Sequence, residues 1–172
     1  MRQLFRPNII DVEASGFGQY SYPIEIGLAL TAGKRYCSLI FPALDWTYWD
    51  GEAEKVHCVT RDLLIQRGRP IQDIAWELND LLENTTIYSD GWVVDKPWVT
   101  RLFDSARVPQ RFFISPIETL LTEPQMDIWH QTKENVINEL NLKRHRASAD
   151  ALIIQETFVR TLTIIHHQDS HP

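Results

Sequence analysis

The stretch NIIDVEASGFGQYSYPIEIGLALT, residues 8–31, decides the fold. Its two apolar runs, 8–14 and 24–31, flank a segment rich in Gly, Ser, Tyr and Pro, the composition of a turn. Both runs read as β-strands, and KRYCSLIF at 34–41 reads as a third, which makes a three-strand meander. Asp11 and Glu13 are two residues apart on the first strand, so they project from one face with Cα atoms about 6.5 Å apart. That spacing lets two carboxylates share a cation. At the end of an apolar, central strand they would be costly to leave unpaired, so a metal or a basic partner is expected.

Downstream, residues 42–59 (PALDWTYWDGEAEKVHCV) read as an aromatic, turn-rich segment, and TRDLLIQRG (60–68) as a short helix with a Thr start and a Gly stop. PIQDIAWELNDLLEN (70–84) follows as a better helix, with Ile71, Ile74, Trp76, Leu78, Leu81 and Leu82 at helical spacing. TTIYSD (85–90) is short and β-rich. It feeds a helix over 94–106, whose apolar stripe is Val94, Trp98, Leu102 and Phe103 and whose proline falls near the first turn. RFFIS (111–115) reads as a strand, and 124–140 and 147–166 as helices, the last carrying Leu152, Ile153, Val159 and Leu162. Three strands followed by alternating helix and strand indicate an α/β domain with a mixed sheet.

The chain's 172 residues suit one domain, with a core over about 8–166 and a polar, frayed tail over 167–172 that holds His167 and His171. Hydrophobic residues at 44% and charged residues at 23% are ordinary globular values, and no apolar run approaches the roughly 20 residues that span a bilayer. The N-terminal MRQLFRPNII lacks the apolar stretch of a secretory leader, so a soluble, cytoplasmic protein is expected. Cys37 and Cys58 make neither a disulfide framework nor a metal-binding pair, and are expected to be reduced, partly buried thiols. A net charge of −6 argues against a broad basic surface for nucleic acid, although a site that gathers carboxylates to hold cations would itself add negative charge.

Two further acids and one imidazole stand out. In KRHRASADALI, His145 precedes a helix whose first turns carry Asp150; an imidazole titrates near neutrality and can take a proton from water. Asp95, in VVDKPW, sits where an acid is favoured at a helix start. Lys143, Arg144 and Arg146 surround His145, Lys96 follows Asp95, and Arg101 lies further along the same helix. Positive charge therefore clusters beside the acids. Trp92 and Trp98, on either side of Asp95, are candidates for stacking against a base.

These segments together resemble the DEDDh 3'→5' exonucleases, a family that includes the proofreading subunit of DNA polymerase III, ribonuclease T and oligoribonuclease. The resemblance covers residues 8 to 160. Asp11 and Glu13 in IIDVEASGFG match the family's first motif, PIEIGLAL its next strand, Asp95 its second motif and HRASADA its third, HxAxxDA. VHCVTRDLLIQRGRPIQDI is similar to the loop and helix that line the 3'-terminal nucleotide. The resemblance implies a ribonuclease H-like fold and two Mg²⁺ or Mn²⁺ ions about 3.5 to 4 Å apart. Asp11 would bridge them, Glu13 and Asp150 would complete one set of ligands, Asp95 would act through water, and His145 would be the general base. Hard oxygen ligands suit Mg²⁺ or Mn²⁺ better than zinc.

Departures from the family pattern fall near the expected substrate. Ala14 replaces a common Thr, His57-Cys58-Val59-Thr60 stands for His-Gly-Ile-Thr, and Asp90-Gly91-Trp92-Val93-Val94 stands for His-Asn-x-x-Phe. Ala14, Ser15, His57, Thr60, Trp92, Lys96 and Arg146 are accordingly the candidate substrate-binding residues. The implied partner is the 3' end of single-stranded DNA or RNA, with no membrane. Two alternatives stay open, a binding module of the same fold without catalysis and a hydrolase of short oligonucleotides, and so does a homodimer.

Overall fold

The computed structural model describes residues 5–169. The meander is present as β1 (Ile9–Ala14), β2 (Pro23–Ala29) and β3 (Arg35–Leu39), antiparallel neighbours in the register Asp11↔Gly27 and Glu13↔Glu25. Three helices follow, α1 (Gly51–His57), α2 (Arg61–Arg67) and α3 (Ile71–Leu82), then β4 (Thr86–Ser89), α4 (Trp92–Ala106) and β5 (Phe113–Pro116). A 3-10 turn at Ile117–Leu120 leads into α5 (Glu123–Leu140) and α6 (Ala147–Asp169). The sheet runs β3-β2-β1-β4-β5, with β4 parallel to both β1 and β5. The expected α/β architecture with a mixed sheet is what the chain adopts, and β1 lies at its centre.

Alternation along β1 sorts its side chains between two apolar layers. Ile10 and Val12 enter one core with Ile24, Ile26 and Leu28 of β2 and with Ile74, Leu78, Val99 and Leu102 of α3 and α4. Ile9 enters the other, beneath α5 and α6, with Ala29, Trp129, Ala151, Ile154 and Phe158. Each fully buried aliphatic or aromatic side chain there contributes about 1.5–3 kcal/mol. Asp11 and Glu13 share the face of Ile9, the α6 face.

Gly27, opposite Asp11, sets how closely α6 approaches. A Cβ there would land on the backbone of Ala147 and Ser148, so only glycine lets the first turn of α6 rest on the strand. That contact carries Asp150 to the sheet.

Several local expectations change. Residues 51–57, read as turn-rich, form α1, capped by Asp50, whose side chain accepts from Glu52 N. Trp76 and Leu81, counted with the apolar stripe of α3, are 47% and 43% exposed, while Ile71, Ile74, Leu78 and Leu82 make its buried face. Val94 of the α4 stripe is exposed as well. Both cysteines are exposed rather than partly buried. Helix α6 continues to Asp169, so His167 is helical rather than frayed, and His171 lies outside the described residues. Among the described residues no helix is long and apolar enough to cross a membrane.

Candidate active site

Asp11 and Glu13 leave the central strand on the face that α6 covers, and neither carboxylate accepts a hydrogen bond from any described residue. Burial lifts the Asp11 carboxyl well above the usual carboxylate range, and the charges of Asp95, Glu13, Asp150 and Asp90 lift it further. Burial likewise raises Glu13 to about 7, with Asp150 and Glu25 adding to the rise and Arg146 and Arg144 opposing it.

Asp95 arrives from the first turn of α4 and is 3% exposed. Burial pushes it to about 7, although its Oδ2 accepts from the Ser89 hydroxyl, which works the other way. Gly91, the N-cap of α4, packs over that carboxylate; a Cβ there would stand 3.3 Å from Asp95 Oδ2.

Asp150 and His145 come from the other side. The chain leaves α5 through Asn141 at φ 45° and enters α6 through His145 at φ 58°, both left-handed. The His145 backbone N donates to Asp150 Oδ2 at 2.8 Å and Arg144 Nε donates to Oδ1 at 2.7 Å. The His145 ring is exposed, and neither of its nitrogens is hydrogen-bonded to a described residue. Potential ligand atoms of Glu13, His145 and Asp150 lie within 4.8 Å of one another. The chain thus brings all five expected residues to one place, across a sequence separation of almost 140 residues.

Four carboxylates converging with so few hydrogen bonds form an unbalanced cluster, and hard divalent cations are the natural counter-charge. The donor set therefore fits a hard divalent cation. Asp11, Glu13, Asp95 and Asp150 are the residues that would hold such ions.

The candidate substrate residues are dispersed around this centre. His57, Ala14 and Glu13 line a recess of about 60 Å³ together with Gly16, Phe17, Val56 and Trp98. His57 Nδ1 accepts from Val59 N at 3.1 Å, so its Nε2 carries the proton, and that atom is buried without a hydrogen-bond partner among the described residues. A donor is left facing inward. Burial also lowers the His57 pKa, which keeps the ring neutral.

Ser15 is fully buried and closes the β1–β2 turn, its Oγ accepting from Tyr22 N at 3.2 Å. Thr60 caps α2, accepting from Leu63 N at 3.1 Å. Trp92 anchors its Nε1 on Ile114 O at 2.9 Å, and Lys96 Nζ lies 4.9 Å over the same ring, so a cation covers one face of the indole. Both border a larger cavity of about 460 Å³ along α4, but Val93, Thr100 and Asp104 in its lining project from the side of the helix opposite Asp95. The smaller recess is the one that borders the carboxylates. Arg101 donates to Ser21 O at 2.7 Å and ties α4 to the β1–β2 turn.

Arg146 is joined to Glu25, a residue the sequence reading did not single out. Glu25 is fully buried and accepts from Arg146 Nη2 at 2.6 Å, Arg146 Nε at 3.0 Å and Ala147 N at 3.0 Å. Burial alone would raise its pKa, yet these donors hold it below the usual range. This ion pair fixes the backbone immediately after His145. The available signal was the phase of PIEIGLAL: Glu25 falls on the face of β2 that pairs with Glu13. Asp90, one of the departures from the family pattern, pairs with Lys133 of α5 at 2.5 Å beside Asp95.

No protein-family profile matches the chain, and no curated protein sequence does. Solved structures do. An E. coli exonuclease I–single-stranded DNA complex with bound zinc matches at TM-score 0.68 and 13% identity, over 98% of this chain and 43% of that one. E. coli exonuclease I in complex with a dA16 oligonucleotide matches at 0.66 and 12%, over 89% and 40%. Exonuclease I of Methylocaldum szegediense matches at 0.54 and 13%, over 73% and 29%. At these identities the likeness shows the fold, the ribonuclease H-like one. The chain spans less than half the length of those exonuclease I chains.

Proposed function

We propose that this chain is a metal-dependent 3'→5' exonuclease that hydrolyses single-stranded nucleic acid and releases nucleoside 5'-monophosphates. The observation that carries the reading is the meeting of the half-buried Asp11 and Glu13, whose carboxylates accept no hydrogen bond from a described residue, with Asp95, Asp150 and the exposed His145 ring. The fold it shares with exonuclease I, solved with single-stranded DNA in one case and an oligonucleotide in another, supports the same substrate class.

Divalent cations held by the four carboxylates would acidify water and neutralise charge on the phosphate. The chain's own groups do the rest. His145 takes a proton from the attacking water on a ring nitrogen; the water oxygen bonds to phosphorus, and the bond from phosphorus to the 3'-oxygen of the preceding nucleotide breaks. That 3'-oxygen leaves on the shortened strand and is protonated to a hydroxyl. The phosphate remains on the 5'-oxygen of the released nucleotide. The recess beside Glu13, with Phe17, 74% exposed, at its lip, would border the terminal nucleotide, and the buried His57 would shape its floor.

The experiment is a parallel digestion of 5'-labelled single-stranded DNA, single-stranded RNA, and duplexes with recessed or overhanging 3' ends in Mn²⁺. A ladder shortening from the 3' end, abolished by EDTA, is expected. His145→Ala should slow it by about 10² or more with little change in metal affinity. Strands retarded on a gel but never shortened would instead identify a binding module.

A further inference from the structure

The basic residues around His145 differ in what holds them. Arg146 is bound through three hydrogen bonds to a buried carboxylate. Among the described residues Arg144 makes one side-chain hydrogen bond, Nε to Asp150 Oδ1, with its side chain 37% exposed. Neither of its Nη groups is hydrogen-bonded to a described residue, so the outer edge of the guanidinium fork is open. It also stands between two left-handed residues, Asn141 and His145, in the segment that links α5 to α6. Asp150 does not need Arg144 to stay in position, because its other oxygen is held by His145 N and its backbone belongs to the first turn of α6.

A divalent cation ligated by Asp150 would stand within a few ångströms of this guanidinium, and two cations that close, partly shielded from water, repel strongly. An anion between them would remove the conflict. The planar fork, using one donor on Asp150, offers phosphate the two-point contact it does not make to the carboxylate.

Resting on the phosphodiesterase reading above, we propose that Arg144 serves two anions in turn. In the metal-free chain it neutralises Asp150; when a divalent cation arrives it gives up that oxygen, and its guanidinium passes to the substrate phosphate beside His145. Arg144 is then both a competitor of the metal and a catalytic residue, and those roles make opposite predictions for one substitution.

The test compares full-length wild type, Arg144→Gln and Arg144→Lys, each checked for folding by circular dichroism. Binding of Mn²⁺ alone is followed from the loss of the free-ion electron paramagnetic resonance signal. Arg144→Gln should bind Mn²⁺ about fivefold to tenfold more tightly than wild type, since the competing cation is gone. In saturating Mn²⁺ it should bind 5'-AMP about tenfold more weakly and turn over a single-stranded oligonucleotide about 10²-fold more slowly. Arg144→Lys, which keeps the charge without the fork, should restore wild-type Mn²⁺ binding but only part of the turnover. The proposal is overturned if Arg144→Gln binds Mn²⁺ no more tightly than wild type, or binds 5'-AMP equally well in Mn²⁺. If wild type hydrolyses no nucleic acid, the phosphodiesterase reading fails, and the two binding measurements still decide the exchange.

Discussion

At Asp11 two requirements collide. The residue sits on a central strand, where burial favours the neutral acid, yet the metal-binding role proposed for it requires the ionised form. Glu13 and Asp95 share the problem, each raised to about 7 from ordinary values of 4.5 and 3.8. The folded chain therefore keeps protons that the unfolded chain has already released between about pH 4 and 7. The stability this contributes is fully present below the unfolded values and lost as pH rises through 7. Thermal melting of metal-free protein should accordingly drop between pH 5 and 8. Mn²⁺ should restore more at pH 8 than at pH 5, and Asp11→Asn should flatten the fall while removing hydrolysis. A metal-free melting temperature that rises over that range would disprove the assignment. Cys58 poses a smaller conflict: it caps α1 at φ 56°, where the exonuclease motif that the sequence resembles has glycine. Cys58→Gly should raise stability by about 1 kcal/mol, measured by urea denaturation, because the left-handed conformation carries no penalty without a Cβ.

Among the elements, α6 does most to assemble the site. Its first turn sits on Gly27, its backbone at Ala147 is held by Glu25, and Asp150 projects from it toward Glu13. Gly27→Ala should push that turn off the strand. We expect a loss of about 3 kcal/mol in denaturant unfolding and an activity deficit that persists in the fraction that stays folded. Full activity in a stable Gly27→Ala protein would show that the close approach is unimportant. Helix α1 shows why part of the fold was harder to read. Its seven residues bury only Ala53 and His57, so no apolar period marks it. The legible signs were electrostatic: Asp50 as cap, Glu52 and Glu54 in the first turn, Lys55 and His57 in the last. Longer elements, such as α3 and α5, were legible because burial imposes a repeat on the sequence.

Across the whole molecule, the order β3-β2-β1-β4-β5 explains how residues so distant in sequence come together. The strand bearing Asp11 and Glu13 is central, α4 enters at its C-terminal end with Asp95, and α6 returns across the sheet with Asp150 and His145. Local motifs made those five residues readable in advance, since each carries its own signature of strand, helix start or loop. Glu25 offered only its phase on β2, and the Lys133–Asp90 pair and the covered face of Trp92 had no such signature, because each depends on which segments the topology makes neighbours. The most direct test of the five-residue centre is to digest a single-stranded oligonucleotide with Mn²⁺ in ¹⁸O-labelled water and analyse the products by mass spectrometry. Wild type should release nucleoside 5'-monophosphates carrying one ¹⁸O on phosphorus, and Asp11→Asn should release none. An intact strand with wild type, or equal release by Asp11→Asn, would end the case for a water-activating metal centre at these residues.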